Sequence, residues 1–261
     1  MNAATAADYG WIRSSFVFPL GIEVGYCLTL VRGVPPEEVL RVMGAEPRGG
    51  CRGAVELFER QEELVVGSDE WDESFLAGVC AVAGEGGDWT LVLHFDGGIG
   101  MRPRFLEVLS AGSRAVTHAS NGGKPIHTFA WYEDGELRAG FEWPTVRHGS
   151  APDDLVPLMH EAGFDMGEES GADTFDRKAA VLALAERLTG VRLTEDLLDA
   201  SAYRLGHVPE EPADEDGTGV VIDLTDANGE GLHKEVTLQQ VEHAMERRRA
   251  ECDRPLHPDE T

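Results

Sequence analysis

Basic side chains are scarce in this 261-residue chain: 22 Lys and Arg stand against 48 Asp and Glu, for a formal net charge of −26. That deficit argues against direct binding to nucleic acid, where affinity comes from cations displacing phosphate counterions, and against an anionic membrane surface. No run of roughly 18 apolar residues occurs, so no membrane span is expected. Met1 to Gly10 has neither a basic start nor an apolar stretch, so it does not read as a secretory signal; it reads as a disordered end. The four cysteines, Cys27, Cys51, Cys80 and Cys252, form no C-x-x-C pair, which argues against a zinc knuckle or a redox motif. No G-x-S-x-G occurs, and His160-Glu161 lacks the second histidine of H-E-x-x-H, so the serine-hydrolase elbow and the zincin helix are both missing. The expectation is a cytoplasmic protein with reduced thiols, no cofactor and no metal.

What is present is enough apolar sequence for a sizeable core, 42% of the residues, and an uneven charge. Residues 1–150 hold 21 acidic and 12 basic side chains, a net −9, whereas residues 151–261 hold 27 and 10, a net −17. Acidity of this kind keeps a protein soluble. It also fits docking on a basic partner protein, or mimicry of nucleic acid.

The organising stretch is Pro125 to Trp143, two aromatic-rich runs around Asp134-Gly135. Asp-Gly favours a two-residue hairpin turn, because both central residues must reach positive φ. Counting outward from that turn pairs Tyr132 with Leu137, Ala130 with Ala139 and Thr128 with Phe141 on an expected core face. It leaves Trp131 over Arg138, and His127 beside Glu142, on the other. Further strands are read at Ile22–Val31, with Tyr26, Leu28 and Leu30 on one face, and at Leu76–Ala83, Trp89–Phe95 and Arg114–Ala119. Pro35-Pro36 followed by two glutamates starts a helix. Helical patterns recur at 54–64, around Phe105–Leu109, and at 153–163, 174–188 and 194–202, with Thr174 as a cap and Gly190 past the end of the longest. Two strand–glycine–proline–helix segments, near Gly33 and near Gly97, echo each other.

The fold class expected is therefore α+β: an antiparallel-dominated sheet packed against helices, with a C-terminal helical segment. The main domain covers 11–207, its sheet part 11–143 and its helical part 150–207. An acidic Pro/Gly linker at 208–219 leads to an appendage at 220–252, a small hairpin plus a helix opened by the capping box at Thr237.

Two clusters could carry chemistry. The glycine loop Gly97, Gly98 and Gly100, beside Arg102 and Arg104, offers backbone N–H groups and guanidiniums to an anion, though it lacks both P-loop and G-x-G-x-x-G spacing; its plain reading is a connecting loop. His94, His118 and His127 all fall on predicted strands and could act as acid and base or hold a metal if they shared one face. No spacing fixes them together, and a His127–Glu142 cross-strand pair is the plainer reading.

The segments V-R-G-V-P-P-E-E-V-L (Val31 to Leu40) and A-E-R-L-T-G-V-R-L-T (Ala185 to Thr194) resemble an actinobacterial domain family of unknown function. The resemblance spans about Trp11 to Val208 and implies no catalytic residue. The function expected is thus an acidic cytoplasmic protein-interaction module without catalytic activity, regulatory or toxin-neutralising, whose partner is another protein with a basic surface. The alternatives are a small-ligand-binding protein or enzyme using a sheet-face pocket, and a nucleic-acid mimic.

Overall fold

Strand β1 (Tyr26–Arg32) sends Tyr26, Leu28 and Leu30 to one face and Cys27, Thr29 and Val31 to the other, and all six are buried. A strand covered on both sides belongs in the middle of a sheet, and β1 is there. The computed structural model describes residues 4–15, 25–66, 74–95, 101–121, 127–164, 174–210, 220–225 and 231–236. Its nine-stranded sheet runs β2 (Glu46–Arg52), β9 (Ala202–Val208), β3 (Phe75–Gly84), β4 (Gly87–His94), β1, β5 (Arg114–Ser120), β6 (His127–Glu133), β7 (Glu136–Trp143) and β8 (Val146–His148). Every neighbouring pair is antiparallel. The α+β class and the antiparallel sheet agree with the sequence reading.

Helices cover both faces. On the side of Leu28 and Leu30 lie α2 (Ala54–Val66), α4 (Val156–Ala162), α5 (Thr174–Thr189) and α6 (Glu195–Ala200). The expected disordered end instead contributes a 3-10 helix, Ala6–Arg13, which buries Tyr9 and Ile12 in the same core. On the side of Cys27 and Val31 lie α1 (Pro36–Val42) and α3 (Pro103–Leu109), each with a proline in its first turn, where no N–H is needed. The two echoing segments therefore place their helices on one face of the sheet. Helix α5 is buried from Ala179 to Ala185 without a break, which is the pattern of a helix enclosed on all sides.

The turn at Asp134-Gly135 is as expected, with φ of 54° and 83°, and Tyr132 does stand opposite Leu137. Beyond that pair the register differs from the counted one. Trp131 faces Ala139, so Arg138 is the extra residue of a β-bulge, and Phe129 rather than Thr128 faces Phe141. The consequence is a reversal of faces. Phe129, Trp131, Ala139 and Phe141 enter the core on the α5 side, with Phe129 stacked on Phe141 at 5.1 Å, while Tyr132 turns to the α1–α3 layer. Trp131, read from the sequence as a surface contact, is only 7% exposed; Arg138 does lie 5.9 Å from its ring, and Arg114 lies 5.4 Å from it.

The chain divides after Glu210. In the second unit β10 (Val220–Thr225) and β11 (Gly231–Val236) form an antiparallel hairpin; the acidic stretch 211–219 and the helix expected after Thr237 lie outside the described residues.

The bulged register makes a direct prediction. Phe129→Ala should cost about 3–5 kcal/mol of unfolding free energy, whereas Thr128→Ala, at an exposed position, should stay within about 0.5 kcal/mol. Urea denaturation of both variants checks this, and equal losses would favour the unbulged pairing.

Candidate functional site

Two charged side chains are buried within α5: Lys178, 2% exposed, and Glu186, fully enclosed. They are eight residues apart, about 12 Å along a helix rising 1.5 Å per residue, so they cannot neutralise each other. Glu186 is accounted for. It accepts a hydrogen bond of 2.9 Å from Tyr9 Oη; burial first, and the Glu186 charge second, hold the Tyr9 phenol well above its ordinary range, so it stays a donor.

Lys178 has no such answer. Among the described residues no carboxylate pairs with it, and its Nζ lies 5.4 Å from the centre of the Tyr26 ring. Burial alone pushes its pKa down to about 8, because desolvation penalises the charged amine. Tyr26 is the first residue of β1 and stands opposite Ser120, the last residue of β5. Directly opposed residues of antiparallel strands share a face, and His118, two residues before Ser120, shares it too. Tyr26 Oη lies 3.3 Å from His118 Nδ1, with the two rings edge to face at 5.5 Å. Burial holds the Tyr26 phenol protonated. The Ser120 hydroxyl is buried with no hydrogen-bond partner among the described residues. A phenol–imidazole pair, a hydroxyl and a partly discharged amine thus gather at the strand ends on one side of the sheet. Together they can donate to an acceptor oxygen and pass a proton.

The residues singled out in the sequence fall differently. His118 belongs to this cluster. His127 stands opposite Ser120 in the backbone register, and nothing further of its side chain is described. His94 lies on the other face: it is opposite Cys27, whose side chain points to the α1–α3 layer, and it stacks on Phe75 at 4.2 Å. His94 and His118 therefore cannot meet around one ligand. Arg102 lies 5.6 Å from the Phe75 ring and donates to the Pro209 carbonyl at 2.8 Å, and Arg104 lies 4.8 Å from Phe105. Both guanidiniums pack on aromatic rings around α3. Gly97, Gly98 and Gly100 lie outside the described residues. Among the described residues no group of three or more His, Cys, Asp or Glu is placed to hold a metal ion, and no helix is long and apolar enough to cross a membrane. Cys51 and Cys80 are buried thiols whose pKa burial raises, that of Cys51 to about 11, which disfavours the reactive thiolate.

Sequence reasoning missed Lys178, Tyr26 and Ser120 as site residues. A signal was there for Lys178. It is three residues after Phe175 and four before Leu182, on the apolar stripe that marks the buried side of the helix.

A family model described as a family of unknown function, DUF6461, matches residues 2–213. No curated protein and no solved structure matches the chain.

An uncompensated buried amine has a thermodynamic signature. Lys178→Met keeps the length of the stem and removes the charge, so it should raise stability at pH 7 by about 1–2 kcal/mol. The Lys178 pKa is near 8 when folded and about 10.4 in an unfolded chain. Between those values the unfolded state binds more protons, so the wild type gains stability as pH rises through that window. Urea midpoints of the two proteins should converge between about pH 8 and 10; a variant less stable at pH 7 contradicts the assignment.

Proposed function

Because the chain belongs to the DUF6461 family, a family of unknown function, its own residues have to carry the functional reading, and we propose that it binds a small ligand at the Tyr26–His118–Ser120–Lys178 cluster. One observation carries this: a lysine amine enclosed at 2% exposure with no carboxylate beside it among the described residues. Leaving such a group uncompensated costs several kcal/mol on general grounds. A ligand bearing a carbonyl or carboxylate oxygen offsets that cost, accepts from the amine and from Ser120, and meets the Tyr26–His118 pair as donor or acceptor. Perturbed titration beside a hydrogen-bonded phenol–imidazole pair is also the environment in which functional groups concentrate. The protein works in the cytoplasm in this reading, where its buried thiols stay reduced.

A second reading has its own support. Trp143 and Val146 stand opposite each other on β7 and β8 and are 41% and 68% exposed, an apolar pair at a sheet edge of a chain with net charge −26. In that reading the chain is an interaction module for a protein with a basic surface, in a regulatory or toxin-neutralising role. Capture from a native lysate that yields no salt-sensitive partner contradicts it.

For the ligand site, thermal-shift titration with acetate, pyruvate and glyoxylate is the test. At least one should raise the Tm saturably in the wild type, by about 2 °C or more at full occupancy, and leave Lys178→Met unmoved. No saturable shift with any of them, or equal shifts in the variant, contradicts the proposal.

A further inference from the structure

We infer that Lys178 forms a covalent imine with a small aldehyde or ketone held against Tyr26, His118 and Ser120. This rests on the ligand-site reading above and narrows it to one chemical class. An amine attacks a carbonyl carbon only through its neutral form, and the surroundings of Lys178 favour that form: it is enclosed in the core on the α5 side, and no carboxylate among the described residues holds its proton. At pH 7 an amine with a pKa near 8 is about one-tenth neutral, whereas an ordinary lysine is neutral in roughly one molecule in 2,500. That difference gives Lys178 its advantage over other lysines.

The remaining groups suit the rest of the reaction. The Nζ lone pair forms the C–N bond while the carbonyl π pair moves to oxygen. The nitrogen gives up a proton, the oxygen gains one, and the Tyr26–His118 pair, hydrogen-bonded at 3.3 Å, serves as donor and acceptor for both transfers. The same pair delivers a second proton to that oxygen, which leaves as water as the C=N bond closes, and takes the second proton from the nitrogen, leaving the neutral imine. Amine and carbonyl become imine and water with no change of oxidation state, so no further reactant is required. Ser120, opposite Tyr26 in register, has a buried hydroxyl available to the substrate oxygen. The degree of enclosure restricts the ligand to a small molecule that enters when the strand ends open locally.

The chain makes the experiment clean, since it contains three lysines, Lys124, Lys178 and Lys234. The full-length protein is incubated with glyoxylate and sodium cyanoborohydride at about pH 7.5, then analysed by intact mass and peptide mapping. Reductive labelling is expected at Lys178 at least about tenfold faster than at Lys124 or Lys234, and slower in Tyr26→Phe, which loses the phenol while keeping the lysine. Labelling at Lys124 or Lys234 in preference to Lys178, or no labelling, overturns the imine. Lys178→Arg separates this inference from the one beneath it, because an arginine retains a cation that can hold an oxygen but forms no imine. Saturable thermal shifts in the wild type with no trapped adduct leave ligand binding standing and remove the covalent step. Absence of both removes the two together.

Discussion

Covering both faces of one antiparallel sheet is the constraint that governs this molecule. Antiparallel sheets commonly keep one face in water, where polar side chains need no protein partner. Here helices lie on both sides of β1, so each polar residue on the central strands is trapped in an apolar layer and must be satisfied there. In the α1–α3 layer much of this is done locally, although the Ser110 hydroxyl is buried with no hydrogen-bond partner among the described residues. Thr29 and Thr117 share a hydrogen bond of 2.7 Å, Cys27 Sγ lies 3.5 Å from Thr117 Oγ1, and Thr90 donates to the Val34 carbonyl at 2.6 Å. In the α5 layer Tyr26 and His118 pair with each other, the Ser120 hydroxyl is buried with no hydrogen-bond partner among the described residues, and Lys178 Nζ lies 5.4 Å from the centre of the Tyr26 ring.

Helix α5 is held in place by its own contacts. Near its C-terminal end Arg187 donates to the Ala4 carbonyl and pairs with Glu161, Arg114 donates to the Leu188 carbonyl at 2.8 Å, and Glu186 takes the Tyr9 hydroxyl. The N-terminal 3-10 helix is thus tied to α5 by a buried hydrogen bond, a stronger tether than surface ion pairs such as Arg192–Asp8 at 3.5 Å. Helix α5 fixed in this way presents Lys178 to the sheet at the strand ends. The two buried charges on one helix then differ: Glu186 accepts from the Tyr9 hydroxyl, whereas Lys178 has no carboxylate partner among the described residues and lies over the Tyr26 ring.

Much of the scaffold was legible from residue patterns, because the elements that local chemistry specifies are those with strong local signals. Asp134-Gly135 fixed its turn through positive φ, Pro36 and Thr194 marked helix starts, and the alternation in β1 and β4 marked strands. The elements missed are those defined by distant partners. β2, with the sequence E-P-R-G-G-C-R, carries a proline, two glycines and charges and shows no strand alternation; it is an edge strand only because β9 pairs with it. β9 in turn is inserted between β2 and β3 from the far end of the domain, a non-local pairing with no local signature. The bulge at Arg138 shifted the hairpin register by one residue, and one residue is enough to exchange faces. The candidate site was legible only at His118. Histidines were grouped by residue type, whereas the sheet separates His94 from His118 by strand alternation, and Lys178 was hidden in a stripe otherwise read as core.

The central claim is that Lys178 is an enclosed amine without a counter-charge among the described residues, and its own titration tests this most directly. Following the side-chain ε-methylene resonances of the three lysines by NMR as pH is raised, the account predicts one lysine, assigned by its loss in Lys178→Met, titrating near pH 8, with Lys124 and Lys234 near the ordinary value of about 10.4. A Lys178 midpoint at that ordinary value would contradict the account.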